Sequence, residues 1–464
     1  MNVRELILDM LLQMEAAGTY SNLLIRDVLD KHDYMEGKEK AFLKRVTEGT
    51  VERGIQLDYV LNHYSKVPVK KMKPLIRCLL RMSVYQLLFM DGIPDAAVCN
   101  EAVKLAGKRK FGQLKGFVNG VLRNIAREKG RLEKIYPDRE KEPLAYLSVA
   151  YSMPDYLVSM WLGEYGPERT ERMLQAMLSV HPVTVRLRQD TGEAEPESGG
   201  PAGTEKAMLL QRIREAGVEV QPHPYLNYAY SLTHLEGMRH VPGFEEGLFT
   251  VQDVSSMLAV ECAGIRQGDF VLDICAAPGG KGTHAAERLR GTGRVLCRDV
   301  SAEKAALIRE NAERLGLKNL ETEVFDGRAY DRSLQEKADV VLADLPCSGL
   351  GILGKKRDIK YHVTPESLRE LPGLQKELLE AAWRYVKPNG ALIYTTCTIH
   401  RAENEEICRW FLENHPFEAE SIDGFLEKVP EKATAKDGYL QLLPGIHETD
   451  GFFIARFVRR EQGK

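Results

Sequence analysis

The sequence predicts a multidomain protein in three parts: an all-α, basic N-terminal bundle, a small α+β subdomain, and a C-terminal α/β domain of the doubly wound, Rossmann-like type. Three observations support this. At 464 residues the chain is too long for one domain of roughly 150 residues. Apolar residues recur at helical spacing through residues 1–140. From about 262 onward, strand and helix patterns alternate.

The bundle opens with Leu6, Leu8, Leu11 and Leu12, an apolar stripe of helical period. The run 75–88 is a second, more deeply buried helix, with Pro74 standing where a helix starts. A basic segment, 104–115, leads into the amphipathic Phe117-Val118-Asn119-Gly120-Val121-Leu122-Arg123-Asn124-Ile125. Residues 143–180 remain helical and form a bridge. At about 181 the pattern changes, because Val183-Thr184-Val185-Arg186-Leu187-Arg188 alternates as a strand. A helix over 206–216 follows, with β-prone Val218-Glu219-Val220 and Leu248-Phe249-Thr250-Val251 beyond it. Bridge and subdomain occupy 141–250. Within them, 189–205 is acidic, rich in Gly and Pro and devoid of large apolar residues, so it reads as a mobile insertion.

The last domain, 251–464, has apolar strand candidates at 270–275, 294–300, 321–326, 339–344 and 391–396. Helical stretches, including 302–315 and 365–386, separate most of them. Strands joined by crossover helices make a parallel sheet, whose ligands sit at the carboxyl ends of the strands near the switch point.

Composition, 44% hydrophobic and 28% charged, is ordinary for a globular protein. No apolar run approaches the ~18 residues that span a bilayer, and the start lacks the apolar core of a signal peptide. The eight cysteines (78, 99, 262, 275, 297, 347, 397 and 408) include no C-x-x-C pair, so a reduced, cytoplasmic protein without a bound metal is expected. The net charge of −3 conceals an asymmetry. Residues 1–142 carry 26 Lys/Arg against 19 Asp/Glu, and 66–134 carry 16 against 5. That suits a polyanionic partner such as nucleic acid; a solvated helical surface is the plain alternative.

In Val271-Leu272-Asp273-Ile274-Cys275-Ala276-Ala277-Pro278-Gly279-Gly280-Lys281 a strand enters a Gly-rich turn, with a helix expected from about Gly282. A P-loop would need Gly where Cys275 stands and Ser or Thr where Gly282 follows Lys281, so that reading fails. The next strand ends at Asp299, 20 residues after Gly279, the spacing of an acid that reaches a ribose. Asp326 and Asp344 close the third and fourth strands. One such Asp is ordinarily a cap or turn residue; three on one rim beside a Gly loop favour a cofactor pocket.

Asp344-Leu345-Pro346-Cys347-Ser348-Gly349 and Tyr394-Thr395-Thr396-Cys397-Thr398 each place a cysteine just past a strand's end. Either alone reads as structural; the pair beside a carboxylate rim suggests pyrimidine chemistry. A thiolate added at C6 turns C5 into a nucleophile toward a bound methyl donor.

Asp273–Lys281, the Asp344–Gly349 stretch and Thr396-Cys397-Thr398 resemble the signature motifs of RNA cytosine-C5 methyltransferases. The N-terminal bundle is similar to the NusB-like RNA-binding domain of the bacterial 16S rRNA members, the Sun/Fmu (RsmB) group. The resemblance covers nearly the whole chain. It implies a class I methyltransferase domain and S-adenosyl-methionine as donor, held by Cys275, Ala276, Ala277, Pro278, Gly279, Gly280 and Lys281. It further implies Asp299 on the ribose, Asp326 near the adenine, Asp344 by the donor and target base, Cys397 as nucleophile and Cys347 in product release. The choice of Cys397 over Cys347 rests on the resemblance, since related DNA enzymes attack from the Pro-Cys position. The base that removes the C5 proton is not named by the sequence.

Weaker matches are Val251-Gln252-Asp253-Val254-Ser255-Ser256 and His447-Glu448-Thr449-Asp450-Gly451-Phe452-Phe453. Arg188 stands where the family commonly has Asn in the small RNA-binding subdomain. Lys355-Lys356-Arg357-Asp358-Ile359-Lys360 reads either as a solvated loop or as a phosphate contact. The implied function is methylation of a specific 16S rRNA cytosine by a cytoplasmic monomer with no membrane, acting on naked rRNA or an early assembly intermediate. Alternatives are the same chemistry on tRNA or 23S rRNA, a non-catalytic ribosome-assembly factor, or an amino-group methyltransferase, which would need no thiol.

Overall fold

A computed structural model describes residues 2–189, 202–235 and 237–461. The chain divides into two compact units, Met1–Ser179 with Leu353–His362, and Val180–Ile352 with Val363–Lys464.

The first unit is helical: α1 (Val3–Ala17), α2 (Ser21–Lys31), α3 (Gly37–Glu52), α4 (Gly54–Tyr64), α5 (Pro74–Phe89), α6 (Asp95–Lys108), α7 (Lys115–Glu128), α8 (Pro143–Ala150) and α9 (Asp155–Met177). Pro74 is the first residue of α5, where its missing N–H goes unneeded. Leu8, Leu43, Leu57, Leu79, Leu122 and Ile125 form a fully buried core, and Leu6 and Leu12 of the expected stripe flank it half-buried. Gln56 Nε2 donates to Ala150 O at 3.2 Å and Ile55 N to Ser152 Oγ at 3.1 Å, so the helices of the expected bridge are bonded into this unit.

The basic segment 355–360 meets neither reading over its second half. Arg357 pairs with Glu48 and Glu52, Asp358 accepts from Ser21 N at the start of α2, and Lys360 Nζ donates to Glu52 O and Ser152 O, both at 2.6 Å. Its cations are spent on carboxylates and carbonyls of the helical unit. Burial pushes Lys360 down to about 7.

The second unit begins with an antiparallel sheet of β1 (Val183–Leu187), β2 (Glu219–Pro222), β3 (Ala229–Thr233) and β4 (Phe249–Val251), in the order β2-β3-β1-β4. Val185 and Leu187 face Leu209, Leu210 and Ile213, which lie on α10 (Ala202–Glu215). Thr184 and Arg186 point to the other face by the two-residue period. The expected insertion over 189–205 falls mostly on residues 190–201, outside the described residues. Its last four residues instead open α10, four residues before the expected start.

The large sheet contains β5 (Phe270–Asp273), β6 (Arg294–Asp299), β7 (Leu320–Val324), β8 (Ala338–Asp344), β9 (Val386–Thr396), β10 (Phe417–Ala419), β11 (Tyr439–Leu442) and β12 (Phe452–Arg459). Its order is β10-β12-β9-β8-β5-β6-β7, with β11 also paired to β12. Strands β5 to β9 are parallel, as expected; β12 runs antiparallel to β9, making the sheet mixed. Around it run α11 (Val254–Cys262), α12 (Gly280–Arg288), α13 (Ala302–Arg314), α14 (Pro365–Ala382) and α15 (Glu405–Asn414).

Alternate residues fill separate cores on the two faces of the sheet. Val271, Val340, Leu342 and Ile393 meet Ala285, Ala286 and Ile308 of α12 and α13. Leu272, Val341, Leu392 and Tyr394 meet Leu378, Leu379 and Phe411 of α14 and α15. Both faces are covered, which is why these strands read as continuous apolar runs. Connections run from β5 outward to β7 and then return to β8, so the switch point lies between β5 and β8. Among the described residues no helix is long and apolar enough to cross a membrane.

Candidate active site

The loop after β5 ends at Gly279, with φ +100°, and α12 begins at Gly280, two residues earlier than expected. A Cβ on Gly279 would lie 3.2 Å from Ile308, so both backbone conformation and packing call for glycine. Ala276 N donates to Arg298 O at 2.9 Å, Gly279 N to Ala276 O at 2.7 Å, and Asn311 Nδ2 to Pro278 O at 3.0 Å. The loop is thus tied to β6 and α13.

Asp299, at the end of β6, is buried; its oxygens accept from Ala277 N at 3.1 Å and Val300 N at 2.8 Å, with Lys304 Nζ at 3.1 Å. Its carboxylate therefore supports the Gly loop directly. Asp326 follows a different course. It is substantially exposed and accepts from the Arg328 backbone and guanidinium, which hold it down to about 2. The turn nevertheless abuts the loop, since a Cβ on Gly327 would lie 3.4 Å from Ile274 O.

Lys281 Nζ donates to Asp344 Oδ2 at 2.7 Å, and Thr395 Oγ1 donates to Asp344 Oδ1 at 2.8 Å. Lys281 is buried, with Nζ 4.9 Å from the centre of the Phe452 ring, whereas Asp344 keeps a third of its side chain exposed. Asp273, at the end of β5, is fully buried. Burial, then the Asp344 carboxylate, raise it to about 7 against the pull of Lys281. Burial and the carboxylates of Asp273, Asp299 and Asp344 push the Cys275 thiol well up. Carboxylate oxygens of Asp299 and Asp344 beside the loop suit a cationic ligand better than a phosphate.

The two cysteines meet. Cys347 Sγ, beyond β8, lies 3.3 Å from Cys397 Sγ, beyond the adjacent β9, and both thiols are half-buried. The hydrogen bond to Cys397, then burial, hold the Cys347 thiol well above its ordinary value. A protonated Cys347 can thereby donate to a thiolate on Cys397. Close backbone approach keeps the two loops in place, since Gly351 N donates to Cys397 O at 3.0 Å and Gly451 N to Gly351 O at 2.9 Å. A Cβ on Gly351 would collide with Gly451 O.

Sequence reasoning missed three supports of this site. Arg186 is fully buried and donates to Glu287, Gln252, Thr283 Oγ1 and Gly280 O, so β1 is bonded to the helix of the Gly loop. Glu403 is fully buried beneath the Cys347 loop and accepts from Ser348 N at 2.9 Å. Gln375 reaches both Glu403 and Pro346 O, at 3.1 Å each. Arg186 stood in a quoted strand motif, and its position on the polar face of that strand was the available signal. Among the described residues there is no group of three or more His, Cys, Asp or Glu that could hold a metal ion.

The family model described as 16S rRNA methyltransferase RsmB/F matches residues 262–458, and that of the NusB family matches residues 1–127. The chain is 36% identical over 464 residues to the probable ribosomal RNA small subunit methyltransferase B of Bacillus subtilis (strain 168), covering 99% of each chain. It is 31% identical to the ribosomal RNA small subunit methyltransferase B of Yersinia pestis bv. Antiqua (strain Angola), covering 91% of each. Among solved structures, PH0851 aligns over 98% of this chain and 99% of its own, with a TM-score of 0.77 and 26% identity. A methyltransferase homolog protein from Pyrococcus horikoshii aligns over 68% of this chain and 99% of its own, with a TM-score of 0.56 and 26% identity.

Proposed function

The chain belongs to the 16S rRNA methyltransferase RsmB/F family, which makes it a methyltransferase of small-subunit ribosomal RNA, and from that premise we propose that it transfers a methyl group from S-adenosyl-methionine to C5 of a cytosine through a covalent Cys397–C6 adduct. The observation that carries this reading is the 3.3 Å approach of Cys347 Sγ to Cys397 Sγ at the ends of adjacent strands.

The Gly loop fits the donor. Residues Cys275, Ala276, Ala277, Pro278, Gly279, Gly280 and Lys281 would hold it where the loop enters α12, and the nearby carboxylates suit a sulfonium. Asp299 would face the ribose and the Asp326 turn the adenine. When bound, S-adenosyl-methionine supplies an electrophilic methyl group. Asp344 offers an acceptor for the exocyclic amine of cytosine, and Lys281 a donor for the ring carbonyl, a pairing that uracil would not satisfy. The target base must leave its stack to present both C5 and C6.

Cys397 thiolate adds to C6, and electron density moves to C5, which takes the methyl group. A base then removes the C5 proton, the C5–C6 double bond re-forms, and the C6–S bond breaks to return the thiolate. Cys347, donating its S–H to the Cys397 sulfur, stabilises that leaving thiolate. The basic helical unit supplies the surface for the RNA backbone, and we place the reaction in the cytoplasm.

Incubation with labelled S-adenosyl-methionine and unmodified 16S rRNA, followed by mapping of 5-methylcytosine, tests the reading. One discrete methylated cytosine is expected. Label appearing instead in tRNA or 23S rRNA would reject the substrate, and label on an exocyclic amine would reject the chemistry.

A further inference from the structure

The mechanism makes no use of a buried carboxylate that lies beside the two thiol loops. Glu403 is fully buried, and its Oε1 accepts from Ser348 Oγ at 2.5 Å and His400 Nδ1 at 3.1 Å. Its Oε2 accepts from Ser348 N at 2.9 Å and Gln375 Nε2 at 3.1 Å. Ser348 directly follows Cys347, and Ser348 Oγ lies 2.7 Å from Thr398 Oγ1, which directly follows Cys397. Gln375 holds Pro346 O, on the other side of Cys347, at 3.1 Å. The Glu403 carbonyl accepts from Tyr394 Oη, three residues before Cys397 on β9. One carboxylate therefore grips the residue after the first thiol directly and the residue after the second through a single hydroxyl.

We infer that Glu403 is a positioning residue that sets the distance between the Cys347 and Cys397 sulfurs, and with it the thiol-assisted release of the methylated base. The release step rests on the function proposed above; the distance does not. Four donors converge on Glu403, and no neutral side chain of its shape accepts them all. A glutamine would turn an NH2 group toward at least one of those pairs of donors, leaving a buried donor unmatched. That strain falls on Ser348 first, because it contributes two of the four bonds. The loop carrying Cys347 then moves away from Cys397. Catalysis is sensitive to such shifts, since a misplacement of ~1 Å costs on the order of 100-fold.

Phenylarsine oxide reads the distance without RNA or donor. Its arsenic forms two As–S bonds with a close thiol pair, and its oxygen leaves as water with the two thiol protons. Wild-type protein is expected to give one bridge, mapped by mass spectrometry to the peptides bearing Cys347 and Cys397. In Glu403→Gln the bridging rate should fall about tenfold or more, while alkylation of Cys397 by iodoacetamide continues, as expected for a shift of ~1 Å. Ser348→Ala keeps the carboxylate and its remaining donors, and should show the same direction if the Glu403 variant fails to fold. Wild-type bridging rates in folded Glu403→Gln and Ser348→Ala would overturn the inference. Bridging lost in the variants, beside wild-type protein that methylates no cytosine, would support the positioning role and reject the proposed reaction instead. With active wild type, Glu403→Gln should also accumulate protein–RNA adduct with a lowered kcat and little change in KM.

Discussion

Arg186 reaches from β1 to both carboxylate oxygens of Glu287 on α12, at 3.1 and 2.9 Å, with both side chains withdrawn from solvent. The same guanidinium donates to Gly280 O at 3.2 Å. The small sheet and the Gly loop's entry into α12 thus share one buried cation. A pair of this kind is expensive to break, because the survivor stays charged and unpaired.

Arg186→Met should therefore lose about 3–5 kcal/mol of stability. The double variant Arg186→Met/Glu287→Met should recover much of that loss, and urea denaturation of the single and double variants checks it. Donor affinity should fall in the single variant too, measured by calorimetry, because Gly280 loses its anchor.

Asp344→Asn keeps the shape of the side chain and removes the charge facing Lys281. Turnover is expected to fall by about 100-fold or more, the scale of removing one preorganised polar contact at a reacting centre. Single-turnover kinetics on 16S rRNA would measure it, and wild-type rates would remove Asp344 from the chemistry.

Asp273 makes stability depend on pH. Its folded value of about 7 stands above the ordinary 3.8, so between those limits the folded protein holds a proton that the unfolded chain has released. This contribution is complete below about pH 4 and is lost as pH rises through 7, a swing of about 4 kcal/mol. Asp273→Asn should flatten that slope in urea denaturations at pH 5 and pH 8. Parallel slopes for the two proteins would contradict the assignment.

Cys347→Ala removes the thiol whose sulfur lies 3.3 Å from Cys397 Sγ. Methyl transfer should still occur, but release should slow, so a covalent protein–RNA band should persist on denaturing gels. Normal turnover without that band would reject the release role.

The fold was legible where periodicity is strong. Val271, Leu272, Val340 and Val341 announced strands buried on both faces, and Leu8, Leu79 and Leu122 announced buried helices. The positions of Cys347 and Cys397 past neighbouring strand ends were legible because each follows an apolar run. Arg186, Gln375 and Glu403 were not, since a polar residue buried by long-range partners looks in sequence like a surface residue. The second half of the 355–360 segment misled for the same reason: Arg357, Asp358 and Lys360 are bonded to residues some 200 to 340 positions away in the chain. The antiparallel β10 and β11 escaped notice because three- and four-residue strands carry little periodic signal.

The most direct test of the central claim uses 16S rRNA transcribed with 5-fluorocytidine. Fluorine at C5 leaves no proton to remove after methyl transfer, so the C6–S bond cannot break and the adduct persists. Peptide mapping should find the methylated nucleotide on the peptide containing Cys397, with none formed by Cys397→Ala. An adduct on the Cys347 peptide, or persistence of adduct in Cys397→Ala, would contradict the assignment of the nucleophile.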